Sequence, residues 1–300
     1  MKELLISIVT VNYRQPEATV AFLESLNNQS FRSYEVILVD NDPLTDYASA
    51  FAAACPSLKL IINKDNIGFA AANNQGMSLA EGNFFFLLNN DTEVTDGFFE
   101  KCLAAFDDPQ VGAISPLICY YKSGEQIQYA GFTPIDWRGR NKLIGQHQVD
   151  RGQFSQEKDT PYAHGAAMIL RRDVWEQTGG MSEDFFLYYE ELAWSEKIRA
   201  AGYRIRVVPQ ARIYHKASLS TGQDSPLKLY YLTRNRLVFM HKFSNNKLRV
   251  LFFLYFFGLV FPMRTFSLWR SGRTKHLNAF IQAVQDWLKG RLGRQVIIGL

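Results

Sequence analysis

No Gly-x-Gly-x-x-Gly follows the first apolar run of this chain, and "TVNYRQPEAT" (10–19) holds no glycine at all. That disfavours a dinucleotide fold of the usual kind, whose phosphate turn needs those glycines. No Gly-x-x-x-x-Gly-Lys-Ser/Thr occurs either, which argues against a P-loop nucleotidase. No Gly-x-Ser-x-Gly marks a serine nucleophile. Cysteine is scarce: Cys55, Cys102 and Cys119 are odd in number and spaced for neither a zinc site nor a redox pair. A reducing, cytoplasmic setting is expected. No uncharged apolar run reaches the roughly 20 residues a spanning helix needs. The opening "MKELLISIVTVNY" is no convincing signal peptide, because its apolar run is short, β-branched and ends at Asn12 without a small-residue cleavage site. Long polar tracts, internal repeats and low-complexity linkers are also missing, so wholesale disorder is not expected.

What is present is ample core material, 47% hydrophobic residues in 300. Apolar β-branched runs alternate with helical patterns. Strands are expected at 4–12, 34–40, 58–63, 83–91, 111–118, 162–172, 203–209 and 211–218. Helices are expected at 16–28, after Asp40 to about Ala54, at 68–80 and at about 96–106. Alternation of this kind predicts an α/β fold, a mostly parallel sheet covered on both faces. Residues 119–161 are irregular and polar and read as an insertion on the acceptor side. The expected division is a catalytic domain over 1–225 and a helical extension over 226–300. Charge divides in the same way. Met240–Leu300 carries ten Lys/Arg and one acid, Asp286, whereas the first 239 residues hold 23 basic and 28 acidic side chains. Within the extension "VLFFLYFFGLVFPM" (250–263) is uncharged and flanked by Arg249 and Arg264. Such a segment suits an anionic membrane interface, or else packs as a core helix. Nucleic acid is disfavoured, since the aromatics form one block rather than interleaving with the basic residues.

Ligands of an open parallel sheet bind at the carboxyl ends of its strands. Polar residues gather at those ends: Asn12 and Tyr13; Asp40, Asn41 and Asp42; Asn63 and Asn66; Asn89, Asn90 and Asp91; later His164, Glu190, Glu191 and His215. Any one of them is explained by turn or cap chemistry; the whole set is not. Asn89 and Asp91 alternate after an apolar strand, so both side chains can converge on Mg²⁺ or Mn²⁺ shared with a substrate phosphate. Glu190 and Glu191 follow the apolar "FFLYY" and open a helical pattern. They either cap that helix or supply a working acid or base.

Seven segments in order, "IVTVNY", "VILVDN", "NIGFAAANNQG", "LLNNDTEV", "HGAAMILRRDVWEQTGGMSEDFFLYYEEL", "AGYRIRVVPQARIYHKAS" and "YYLTRNRLVF", resemble family 2 glycosyltransferases over about residues 4 to 240, with the look of the bacterial rhamnosyltransferase-like branch. The resemblance implies a GT-A fold with a Rossmann-like half that binds a nucleoside-diphosphate sugar. It also implies inverting transfer to an acceptor hydroxyl, with a divalent metal. By resemblance Thr10, Asn12, Tyr13 and Asp40 match nucleoside-contacting positions, and Asn66, Gly68 and Asn73 the segment near base and ribose. Asn90 and His164 join the nucleotide-sugar set. Asn89 and Asp91 match the metal and diphosphate motif, with Asn in place of the first Asp. His215 matches a histidine that reaches the metal or diphosphate. Glu191 matches the general base, and Glu190 is expected to raise its pKa by like-charge repulsion. Ala193 stands where many such chains carry a further acid.

The expected donor is a dTDP- or UDP-sugar, rhamnose first among sugars. The expected acceptor is a glycan or lipid-linked hydroxyl in surface polysaccharide synthesis, reached at the cytoplasmic face of the membrane. Two other readings compete: a catalytically silent nucleotide-sugar-binding homologue, and a sugar nucleotidylyltransferase. The latter needs a Gly-rich basic loop after the first strand, and that loop is absent.

Overall fold

The computed structural model describes residues 6–44, 46–216 and 224–297. In chain order the elements are β1 (Ile6–Asn12), α1 (Pro16–Asn27), β2 (Tyr34–Asp40), α2 (Ala48–Ala54), β3 (Lys59–Ile62), α3 (Phe69–Ser78), β4 (Phe84–Leu88), β5 (Thr92–Val94), α4 (Phe98–Ala104), β6 (Val111–Tyr120), β7 (Ile127–Tyr129), β8 (Lys158–Asp159), β9 (Ala167–Arg171), α5 (Arg172–Thr178), α6 (Glu190–Ala200), β10 (Arg204–His215), α7 (Pro226–Phe243), α8 (Asn246–Tyr255), α9 (Phe261–Arg270) and α10 (Thr274–Leu288). One sheet runs β3-β2-β1-β4-β9-β6-β10-β5. The β3-β2-β1-β4 half is parallel, as its continuous apolar strands require, and β9 enters antiparallel to both β4 and β6. The sheet is therefore mixed, with helices on both faces.

Strand periodicity divides the core. Ile6, Ile8, Val36, Leu38 and Phe86 pack with Phe22, Phe51, Phe98 and Phe99 on one face. Val9, Ile37, Phe85, Leu87 and Met168 pack with Met77, Trp194 and Ile198 on the other. Each such buried side chain stabilises by about 1.5–3 kcal/mol. Gly76 lets α3 approach β1 closely, since a Cβ there would sit 2.4 Å from Val9 Cγ1.

Three expected strands differ from the structure. The 162–172 strand begins only at Ala167, because Ala167 N–H bonds back to His164 O in a turn around Gly165. The segments 203–209 and 211–218 form one strand, β10, whose register against β6 slips between Val208 and Arg212. Pro209, which has no N–H, sits in that irregularity rather than ending the strand. Ala217 and Ser218 of the "YHKAS" segment lie outside the described residues.

The C-terminal helices form their own core. Leu237, Phe252, Phe256, Phe280 and Val284 pack with Phe185, Leu192 and Ala193 from the turn and helix that carry the two glutamates. α8 continues through a π-turn (Phe256–Val260) into α9, giving one helix of 25 residues over Asn246–Arg270. The helix thus outruns the 14-residue uncharged segment, and by length and composition alone it could cross a membrane. Phe252, Phe256 and Leu268 are buried on its inner side, while Leu254, Met263, Phe266 and Trp269 are exposed on the other.

Candidate active site

The carboxyl ends of the central strands open into a cavity of about 690 Å³. Ten of the expected site residues line it: Tyr13, Asn66, Gly68, Asn89, Asn90, Asp91, His164, Glu190, Glu191 and His215. Thr10, Asn12, Asp40 and Asn73 do not. They are buried beneath its wall. Asn12 Nδ2 donates to Asp40 Oδ1 at 2.8 Å, and Asn12 Oδ1 accepts from Thr19 Oγ1 at 2.9 Å. Asn90 bonds this group through Thr19, at 2.8 Å. Asn73 Nδ2 bonds Phe69 O inside α3. These residues fix the strand ends that present Tyr13, Asn41 and Asn90.

On one side, near the start of α3, Asn66 Oδ1 accepts from Gly68 N at 2.9 Å, and Asn63 Nδ2 donates to Asn41 Oδ1 at 2.9 Å. Gly68 has φ +91°, and a Cβ there would lie 2.5 Å from the Phe186 ring. Only glycine fits both the backbone and the neighbour.

On the opposite side, Asp91 and His215 meet, His215 Nε2 lying 3.1 Å from Asp91 Oδ1. Gln128 Oε1 lies 2.9 Å from His215 Nδ1. With its proton on Nδ1 the ring donates to Gln128 and turns the Nε2 lone pair toward the Asp91 carboxylate; with the proton on Nε2 it donates to Asp91 instead. In the first tautomer, two acceptors so close suit a proton or a cation between them. Among the described residues no three His, Cys, Asp or Glu side chains gather into a ready-made metal cage. One carboxylate, one imidazole and the Asn89 amide leave room for waters and phosphate oxygens, as Mg²⁺ and Mn²⁺ prefer. Gln128 comes from β7, a three-residue strand in the irregular insertion, where no local pattern marks it.

His164 is neutral. Burial, and then the nearby His215, lowers its pKa to about 3, and its Nδ1 accepts from Ala166 N at 3.0 Å. Its Nε2–H is thereby left as a donor.

Glu190 and Glu191 open α6, where the helix dipole favours acids, but burial outweighs that preference. Desolvation raises Glu191 to about 7. Glu190, 3% exposed, is pushed well above the carboxylate range by desolvation first and by Glu191 second. Like-charge repulsion between the two acts together with burial to raise the pair, burial being the larger cause. Both carboxyls are thus held above the ordinary range, Glu190 the further, and Glu190 Oε2 has no partner among the described residues. The turn before the pair is strained: Phe186, Tyr188 and Tyr189 have φ of 61°, 68° and 76°. Each costs about 1–2 kcal/mol relative to ordinary backbone. Ala193 is fully buried among apolar side chains of the C-terminal core and does not line the cavity.

The model of the family described as "Glycosyl transferase family 2" matches residues 7–179, more than half of the chain. The chain belongs to that family. As a family 2 glycosyltransferase it is 25% identical over 260 residues to the N-acetylglucosaminyl-diphospho-decaprenol L-rhamnosyltransferase of Mycobacterium tuberculosis, covering 79% of this chain and 84% of that one. Its fold matches a mannosyltransferase of Pyrobaculum calidifontis in complex with GDP-Man and Mn²⁺, with a TM-score of 0.58 and 15% identity over 95% of this chain and 87% of that one. It also matches GalNAc-T7 with UDP, GalNAc and Mn²⁺, with a TM-score of 0.62 and 16% identity, covering 87% of this chain and 58% of that one. At these identities the two structures speak for the GT-A fold alone.

The C-terminal helices supply a wall of the cavity that strand-end reasoning does not reach. Leu227, Lys228, Tyr231 and Leu232 line it from α7, and Arg294 and Gln295 from the tail. Arg294 Nη1 donates to Asn66 O at 3.1 Å, beside Gly68. The one visible trace in the sequence is "YYLTRNRLVF", which spans Tyr231.

Proposed function

We propose that this glycosyltransferase moves a sugar from a nucleoside-diphosphate donor to a hydroxyl of a glycan or lipid-linked acceptor, with inversion at the anomeric carbon. The observation that carries the reading is Glu191. Burial brings it to about 7, and it faces the same cavity as Asn89, Asp91 and His215. A carboxyl group that titrates near neutrality is suited to take a proton from an alcohol. In the reaction the acceptor oxygen attacks the anomeric carbon as its proton passes to Glu191. The bond from that carbon to the diphosphate oxygen breaks, and its electron pair leaves with the diphosphate. Asn89, Asp91 and His215 would hold Mg²⁺ or Mn²⁺, which when bound stabilises the departing charge. Tyr13, Asn41, Asn66 and Gly68 would seat the nucleoside. Neutral His164 and protonated Glu190 would donate to sugar or acceptor oxygens.

The similarity to a rhamnosyltransferase of N-acetylglucosaminyl-diphospho-decaprenol favours rhamnose, with a dTDP carrier, and a lipid-diphosphate acceptor. A UDP-hexose is the second choice. The test is a donor panel with each metal and with chelator, reading nucleoside diphosphate release. One nucleotide sugar should be turned over, and only with metal. Nucleotide binding without turnover of any donor under any metal overturns the reading and leaves a silent binding homologue.

A lipid acceptor calls for membrane contact. We propose that Asn246–Arg270 lies in the interface of the cytoplasmic leaflet, its exposed apolar side inward and Arg249, Arg264 and Arg270 at the anionic surface. Burial of its other side on α7 and α10 supports lying over spanning. Replacing Leu254, Phe266 and Trp269 together by glutamate should cut binding to anionic vesicles at least about tenfold, since each buried side chain is worth about 1.5–3 kcal/mol. The readout is vesicle flotation. Unchanged flotation of the folded triple variant would contradict this placement.

A further inference from the structure

The strained turn ahead of Glu190 is held from behind by two side chains of α7, Arg234 and Asn235, both fully buried. Asn235 Nδ2 lies 2.9, 2.7 and 2.8 Å from the carbonyl oxygens of Phe185, Leu187 and Tyr188, so its two protons are shared among three acceptors of one turn. Arg234 seats Asn235, donating to its Oδ1 from Nε at 3.0 Å and from Nη2 at 2.9 Å. The same guanidinium donates to Asp184 O at 3.1 Å, to Phe185 O at 2.9 Å and, from Nη1, to Gly293 O at 2.6 Å. Gly293 directly precedes Arg294 and Gln295, which line the cavity.

The turn is also bonded forward. Phe186 O accepts from Phe69 N at 3.0 Å, next to Gly68. Ala193 N, one turn into α6, bonds Tyr189 O at 2.8 Å. The turn thus joins three bodies: the segment at Gly68, the helix carrying Glu191, and the C-terminal helices. Left-handed non-glycine residues persist only where their surroundings over-determine them. Here much of that constraint is one amide side chain. A buried carbonyl without a partner is costly, so losing Asn235 would free the turn to relax.

We infer that Asn235, seated by Arg234, is a positioning residue for Glu191, fixing the Phe185–Tyr189 turn and tying the C-terminal extension to the base. The inference rests on Glu191 being the base. It also gives the extension a role inside the reaction that is separate from membrane contact.

Asn235→Asp tests it. The substitution keeps the size and the acceptor for Arg234 but turns carboxylate oxygens toward three carbonyls. Asn235→Ser, which keeps a single donor, is the milder variant and decides alone should the aspartate variant not fold. The expected result for Asn235→Asp is a kcat about 10²-fold lower with donor KM within about threefold, as for a base displaced by about an ångström. Asn235→Ser should fall in between. Hydrogen exchange should quicken over residues 185–193 and leave the sheet unchanged. A merely structural residue would lower the melting temperature but leave kcat per folded molecule as it was. Wild-type kcat in the variants, or a loss confined to KM, overturns the inference. Should the wild type itself turn over no nucleotide sugar, the glycosyltransferase mechanism fails on its own. Exchange then decides about the turn: protection lost over 185–193 supports the brace, and protection kept refutes it.

Discussion

Glu191→Gln should lower turnover by at least about 10³-fold, while nucleotide affinity stays within a few-fold. The amide has nearly the same shape, so the cavity is preserved, but it cannot accept the acceptor's proton. The same substitution should act on stability in a pH-dependent way. Glu191 rises from an ordinary 4.5 to about 7 on folding, so the folded chain binds that proton more tightly than the unfolded one. Stability from this group is fully present below about pH 4.5 and is lost as pH rises through about 7. Glu191→Gln should therefore stabilise the protein at pH 8, by at most about 3 kcal/mol, and have little effect at pH 4. Water reaching the cavity side of the carboxyl trims that figure. Denaturant unfolding of both proteins at the two pH values checks it. A variant destabilised equally at both would contradict the electrostatic account of the pair.

Asp91→Asn should lower turnover by about 10²–10³-fold and weaken Mn²⁺ binding measured in the presence of a nucleoside diphosphate. Among the described residues Asp91 is the acid beside His215 Nε2, and Gln128 lies against the other ring nitrogen. The asparagine variant keeps the shape and removes the charge. Raised Mn²⁺ should recover part of the lost rate, because the defect is one of occupancy. Turnover that is unchanged and still metal-dependent would move the metal away from Asp91.

The parallel half of the sheet is legible because its strands are short apolar runs closed by Asn or Asp. Their polar ends then mark the cavity, as with Asn89 and Asp91 after β4. Thr10 shows where that reasoning stops. It lies within β1, two residues short of the strand's end, so its side chain is enclosed by the sheet and its helices. Pro209 reads as a strand end, yet β10 passes through it by an irregularity that only pairing with β6 reveals. Phe186, Tyr188 and Tyr189 carry left-handed backbone without a glycine or asparagine to announce it. Their turn is braced by Asn235, about 50 residues later, at the carbonyls of Phe185, Leu187 and Tyr188. The same holds for Gln128, Lys228 and Arg294. Lys228 and Arg294 reach the cavity, and Gln128 reaches His215 behind it, by tertiary packing, for which local periodicity has no signal.

The central claim is that ionised Glu191 takes the proton of the acceptor. The direct measurement is the pH dependence of kcat/KM in wild type and Glu191→Gln, from pH 5 to 9, with metal and acceptor in excess. A raised carboxyl acting as base predicts a rate that falls below an apparent pKa of about 7 in wild type, and a low rate without that limb in the variant. A wild-type profile flat from pH 5 to 9, or the same acid limb persisting in Glu191→Gln, would contradict the claim.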